Sequence, residues 1–276
     1  AGGESATFSE DGADLRAYDA SGNEIPHEIE SWNPAGESLV WVRLPRLSGT
    51  ATSVTMKWGA TSPRKTDSKW VWSAYAGVWH MNETATELPS ATANGLTLSG
   101  SEAPTVVDGA VGTGVKFATT MTAPNFLKEP WSVPSSSYAV SVWYYNPVSA
   151  TPTYYNPLYF GAYGENGWFL EYKNTRTSAT LYCNSSGTGL KFSADYSSDW
   201  IYITLVFDHG KLTAYQNGVR TLDAANAPLT HNMAHDFRMT VSRFDETRIM
   251  PSCPSYDWAV ADYKTQKAAD FAVATE

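Results

Sequence analysis

Charge is scarce in this sequence, and positive charge is scarcer still. Charged residues make up 17% of the 276 positions, with 19 Lys and Arg against 28 Asp and Glu, for a formal charge of −9. No basic run is present to meet a phosphate backbone or an anionic bilayer, so no nucleic-acid or lipid-surface partner is expected. Long apolar runs are missing too. The longest, such as Ile201 to Phe207, have strand length and fall well short of the roughly 20 residues of a membrane helix, so no membrane insertion is expected. The chain opens on Ala1 without a charged-then-apolar leader. The expectation is that any signal peptide has been removed or lies upstream, and that the protein is secreted or on the cell surface, extracellular or periplasmic.

Cysteine is reduced to Cys183 and Cys253, 70 positions apart, a spacing that fits no metal motif. Paired, they would close a loop contributing about 4 kcal/mol on the chain-entropy view. Unpaired, they would behave as small buried hydrophobes. Both readings stay open at this point.

The motifs of catalysis are lacking as well. Neither Gly-x-Ser-x-Gly nor His-Glu-x-x-His occurs. A retaining glycosidase needs two carboxylates about 5–5.5 Å apart. The nearest acid pairs are Glu165 with Glu171 and Asp245 with Glu246, and adjacent strand residues point to opposite faces. His231 and His235 would share a metal only if their segment were helical, and a solvated loop is the simpler reading. The chain therefore reads as a non-enzyme, with no cofactor implied.

What is abundant is aromatic. There are 11 Trp and 16 Tyr, with 20 Gly and 15 Pro to punctuate them, a mixture that favours sheets and tight turns. Short segments rich in Val, Ile, Tyr, Trp and Thr recur along the chain, among them "SLVWVRLP" from Ser38, "YAVSVWYY" from Tyr138, "GWFLEY" from Gly167 and "FRMTVSRF" from Phe237. In "ITLVFDHGKLTAYQNGVRTL" from Ile203, the reversals Asp208-His209-Gly210 and Asn217-Gly218 predict a three-strand meander. A helix is expected only near the C-terminus, in the stretch from Tyr256, and for no more than a turn or two. The polar, Pro63-bearing stretch Thr61 to Lys69 divides the chain into a small β domain over 1–69 and a larger part over 70–276.

Several segments carry a family likeness in the right order. "YAGVWHMNE" from Tyr75, "DGAVGTGVKF" from Asp108, "YAVSVWYYNP" from Tyr138, "DWIYITLVFDHGKLTAYQNG" from Asp199, "FDETRI" from Phe244 and "YDWAVADYKTQ" from Tyr256 resemble the laminin-G-like, concanavalin-type domains of bacterial extracellular proteins. The resemblance implies an all-β, two-sheet jelly roll with the small N-terminal domain packed against it. It also leaves calcium open, with Asp108, Asp208 and Asp245 as candidate ligands, although each residue is an ordinary turn former as well. The first part, through "DGADLRAYDASGNEIPHEIESWNPAGESLVWVRLP" from Asp11 and "TMKWG" from Thr55, resembles a small family of unknown function found before such jelly rolls in bacterial surface proteins. In that family a further apolar strand precedes this point. The expectation is that this strand is missing here, was cleaved, or comes from upstream sequence or a partner chain.

Jelly rolls that bind sugars use aromatic faces against C–H patches, with amides and carboxylates bonding the hydroxyls. Pro152 and Pro157 predict a loop around Tyr154 and Tyr155, and the candidate ligand-binding residues are Tyr154, Tyr155, Asn156, Asn166 and Trp168. The function expected is that of a non-catalytic binding module, glycan-binding or adhesive, of a bacterial cell-surface protein, with a glycan or another surface protein as partner. The alternative is an assembly module that docks neighbouring domains or protomers by strand addition. A glycoside hydrolase comes third.

Overall fold

Two-residue alternation along Ser137–Tyr145 organises the larger part of the molecule. Tyr138, Val140, Val142 and Tyr144 point into the main core, and the residues between them face the other way. The neighbouring strand Trp200–Asp208 does the same with Ile201, Ile203, Leu205 and Phe207. The computed structural model describes residues 9–47, 52–62, 68–117, 125–127, 137–145, 154–160, 167–173, 179–183, 189–192, 199–227, 237–240 and 242–267.

Two compact units are present: Ala1–Ser73 with Ala91–Ala93, and Ala74–Ser90 with Asn94–Glu276. In the larger unit one eight-stranded sheet runs, in spatial order, Val219–Asn226, Lys211–Gln216, Trp200–Asp208, Ser137–Tyr145, Ser242–Met250, Thr113–Phe117, Thr105–Asp108, with Gly77–Trp79 also paired to Ser242–Met250. The second eight-stranded sheet runs Gly189–Phe192, Ala179–Cys183, Trp168–Lys173, Tyr154–Phe160, Phe237–Met239, Asn125–Leu127, Thr97–Ser99, Glu87–Pro89. Among the described residues every strand pairing is antiparallel, so no crossover helix is needed between strands. The sheets face each other across one core, to which the second contributes Leu98, Leu158, Phe160, Leu170, Leu181, Phe237 and Met239. The protein is an all-β sandwich.

Aromatic side chains join the two sheets. Tyr138 stacks on Phe160 at 5.4 Å and Trp168 on Phe207 at 5.4 Å, while the Trp168 indole N–H donates to the Tyr138 hydroxyl at 2.8 Å. Each such ring, fully buried, contributes about 1.5–3 kcal/mol. The expected meander is present. Its turns are His209–Gly210 and Asn217–Gly218, each with both residues at positive φ, the two-residue geometry that matches strand twist. Gly218 is required twice over: its φ is +73°, and a Cβ there would sit 2.9 Å from Tyr263 Cδ1.

The C-terminal helix is longer than the turn or two expected, spanning Tyr256–Lys267. The sequence signals for it are local. Ser255 caps it, its hydroxyl accepting the Trp258 N–H, while Asp257 lies in the first turn and Lys264 and Lys267 in the last, complementing the helix dipole. Only Ala259 and Asp262 are buried, while half-buried Trp258 packs against Tyr75 and half-buried Tyr263 against Trp143 and Tyr202. Cys253 is a free thiol that donates to the Phe207 carbonyl at 3.1 Å, so the disulfide reading is set aside.

The smaller unit holds a three-stranded sheet, with Arg16–Tyr18 between Glu24–Ile25 and Thr55–Lys57, and a hairpin of His27–Ser31 with Leu39–Val42. Asp14 ties it together, its carboxylate accepting the Ser9 hydroxyl and the Ser9 and Gly59 N–H groups. On the hairpin, Glu30 accepts the Trp41 indole N–H at 2.6 Å and Glu28 accepts that of Trp72, with the two indoles edge to face at 5.5 Å.

Candidate functional site

The outer face of the second sheet is made by the residues that lie between core positions. Leu170 and Leu181 point inward, so Phe169, Glu171, Thr180 and Tyr182 turn outward from their strands. Tyr159 lies between the core residues Leu158 and Phe160, and Arg238 between Phe237 and Met239. Antiparallel register then sets Arg238, Tyr159, Phe169 and Tyr182 side by side on four adjacent strands.

Three of these residues form a stack. Tyr159 and Phe169 have ring centroids 5.8 Å apart, and Phe169 and Tyr182 4.7 Å apart with planes only 10° from parallel. At 4.7 Å the near-parallel Phe169 and Tyr182 rings sit face to face and offset, and with Tyr159, which is itself buried, they make a wall of rings across three strands. The Tyr182 hydroxyl donates to Glu171 Oε1 at 3.1 Å, fixing the last ring. Phe169, Glu171, Thr180, Tyr182 and Arg238 are half-buried. On the sheet's edge strand, Gly189 lies opposite Tyr182, so no fourth cross-strand side chain continues the stack.

The residues expected from sequence are placed differently. Trp168 is 2% exposed, with its ring against Phe160 and Phe207, so it is a core residue with no face to offer a ligand. Its neighbour Phe169 takes the outward position. Tyr154, Tyr155 and Asn156 belong to the strand Tyr154–Phe160 and not to a loop. Pro157, which has no N–H to donate, is accommodated where the register shifts between Tyr155 and Leu158, and its carbonyl accepts the Thr240 N–H at 2.9 Å. Asn166, along with His231 and His235, lies outside the described residues. Sequence reasoning missed Phe169, Glu171, Tyr182 and Arg238. The alternation in "GWFLEY" and "ATLYC" held the signal, but which parity faced the core was open.

The acids set aside as catalytic candidates are wholly buried. Asp245 Oδ2 accepts the Val111 N–H at 2.8 Å and so braces the glycine-rich turn between Asp108 and Thr113. Glu246 follows at φ +44°, within a bulge of Ser242–Met250 against Ser137–Tyr145. Glu246 meets His80 Nδ1 and the Arg248 guanidinium, each at 2.7 Å. Arg248 also donates to Asp262 of the helix at 2.7 Å, and the Tyr202 hydroxyl donates to the same carboxylate. Burial alone would push Glu246 upward, but His80 and Arg248 outweigh it and hold the carboxyl below the usual carboxylate range. Asp262, by contrast, is raised by burial despite Arg248. With no exposed surface, Glu246 and Asp245 have no access to a substrate.

The calcium candidates do not converge. Ser137 pairs with Asp208 and Trp143 with Asp245, so six residues of one strand, about 20 Å, separate the two acids. Asp208 is exposed and held below the usual range by its hydrogen bonds from His209 and Ser137. Asp108, also exposed, begins the turn that Asp245 braces. Among the described residues no helix is long and apolar enough to cross a membrane.

Residues 11–79 match the family model described as "Domain of unknown function (DUF2341)". No curated protein matches the chain. Among solved structures, the binding domain of botulinum neurotoxin DC in complex with rat synaptotagmin II is similar with a TM-score of 0.59 at 11% identity, over 72% of this chain and 53% of that one. The binding domain of Paraclostridial Mosquitocidal Protein 1 is similar with a TM-score of 0.55 at 12% identity, over 68% and 52%. A botulinum neurotoxin type C structure, titled for cell entry dependent on two ganglioside molecules, gives 0.56 at 10% identity, over 71% and 52%. The chain spans about half the length of these structures. They share with it a β-rich fold, and the segment over 11–79 is similar to a domain family whose function is not known.

Proposed function

We propose that this protein is a non-catalytic binding module of a secreted or cell-surface bacterial protein, and that it holds a glycan on the outer face of its second sheet. The observation that carries the reading is the wall of Tyr159, Phe169 and Tyr182, with Glu171 and Arg238 beside it. Rings supply C–H contact, while a carboxylate and a guanidinium accept from and donate to hydroxyls. That the fold is shared with toxin binding domains, one in complex with rat synaptotagmin II and one described as interacting with two ganglioside molecules, supports a binding role over a catalytic one. The test is retention of the whole chain on a glycan array, repeated with Tyr182→Ala and Phe169→Ala. Binding that survives both substitutions, or no glycan retained at all, would count against this face.

A second reading, assembly by strand addition, is favoured by the edge strand Thr105–Asp108, where Val106 is 45% exposed. Sedimentation of the isolated chain separates the two readings, since strand addition between copies requires a concentration-dependent oligomer.

A further inference from the structure

A different row of side chains crosses the outer face of the first sheet. Tyr145 pairs with Trp200 on one side and Arg243 on the other, and Arg243 pairs in turn with Lys116. Tyr145, Trp200 and Arg243 are half-buried, and Lys116 is exposed. The Arg243 guanidinium lies over the Tyr145 ring, 4.7 Å from its centroid, and Trp200 meets Tyr145 edge to face at 5.8 Å. The Trp200 indole reaches as far as Gly114, where a Cβ would come within 3.2 Å of Cη2.

Two cations placed directly opposite each other on antiparallel strands repel, and such pairs destabilise a sheet. Among the described residues neither Arg243 nor Lys116 has an acidic partner, in a chain whose acids outnumber its bases by 28 to 19. Packing does not call for this arrangement, since both side chains face away from the core. An anion between them would relieve the repulsion. Arg243, held over the Tyr145 ring, has a planar fork that suits a carboxylate, and Lys116 adds a point charge. The adjoining Trp200 and Tyr145 offer apolar surface to the rest of the same ligand. Among the described residues this row offers two cations, and the net charge of −9 opposes a polyanion, so nucleic acid and anionic bilayers do not fit.

We infer that Arg243, Lys116, Tyr145 and Trp200 form a subsite for a carboxylated sugar, the acid on the two cations and the pyranose ring against the indole. The inference rests on the glycan-binding reading, and it places an acidic residue of the glycan on a face distinct from the Tyr182 wall.

The probe is trigalacturonate, titrated calorimetrically into the whole chain beside its methyl ester, which keeps the rings and removes the charges. Saturable binding of the acid, more than about tenfold tighter than the ester, is expected. Arg243→Gln should weaken it by more than about tenfold and Lys116→Gln by less, with the thermal midpoint of Lys116→Gln no lower than wild type, since it removes repulsion. Trp200→Ala should also weaken it, because a sugar needs the wall. Inorganic phosphate competing at the same concentration as trigalacturonate, with Trp200→Ala having no effect, would reduce the site to an adventitious anion and overturn the inference. Absence of trigalacturonate binding, or binding indifferent to Arg243→Gln, would overturn it as well. Wild-type retention on the glycan array, abolished by Tyr182→Ala, is read separately: where it is observed this subsite fails alone, and where wild type is not retained, or Tyr182→Ala is retained equally, the broader reading fails.

Discussion

Arg248, in the middle of a sheet strand, donates to Asp262 of the C-terminal helix at 2.7 Å while its other amino group bonds Glu246 at 2.7 Å. One buried cation thus serves two buried anions, and it ties the helix to the first sheet. Removing one partner of such a pair leaves a buried charge uncompensated, at a cost of about 3–5 kcal/mol. Asp262→Ala should lower stability by that order in urea unfolding, and hydrogen exchange at the helix amides should rise to near that of an isolated helix. Replacing Arg248 and Asp262 together by apolar residues should recover part of the loss.

Acid sensitivity follows from Glu246. Its carboxyl titrates lower in the folded protein than in the unfolded chain, because His80 and Arg248 outweigh burial. The stability it provides is therefore complete above the ordinary carboxylate value of about 4.3 and is lost as pH falls through the lowered native value. Asp262, raised by burial, works the other way, and its contribution fades as pH rises through its native value. The Glu246→Gln variant should be less stable than wild type at neutral pH yet lose less on acidification. Thermal midpoints measured from pH 7 downward check this, and an unchanged acid slope would contradict it.

Trp168 and Phe169 are neighbours in sequence with opposite roles. Trp168→Ala should open a core cavity and cost about 3–5 kcal/mol, as expected for a buried Trp. Phe169→Ala should cost less and should act on glycan retention. Paired denaturation and binding measurements separate the two residues.

At Gly218 a side chain meets both an unfavourable φ and the Tyr263 ring. Gly218→Ala should destabilise by at least about 1–2 kcal/mol, the usual penalty of the left-handed conformation. The shift in urea midpoint reports it.

Reducing agent should leave the thermal midpoint unchanged. Cys253 carries a thiol hydrogen-bonded to Phe207 and closes no loop, so no cross-link is available to break.

Much of the fold is legible in the sequence. Alternation in "YAVSVWYY" and "WIYITLVF", with His209-Gly210 and Asn217-Gly218 between extended runs, specifies paired strands and tight reversals through purely local chemistry. The helix was underestimated because its apolar face is thin, and the side chain that anchors it is a carboxylate, Asp262, which no hydrophobic pattern flags. Pro157 was misleading in the opposite sense. It marks a register shift inside a strand, where a missing N–H is tolerated, so the loop predicted around Tyr154 and Tyr155 is a strand instead.

By itself the sequence determined that this chain builds β-sheets from aromatic segments, turns them at glycine and asparagine, and lacks the motifs of the familiar hydrolases. These are properties of single segments and their neighbours. Only the tertiary structure decided which of two alternating faces is buried, that Tyr159, Phe169 and Tyr182 from three separate strands form one wall, and that Arg243 stands opposite Lys116. The physical reason is that strand parity and cross-strand register are set by how two whole sheets close on a common core, and a one-residue shift in either reverses every outward side chain.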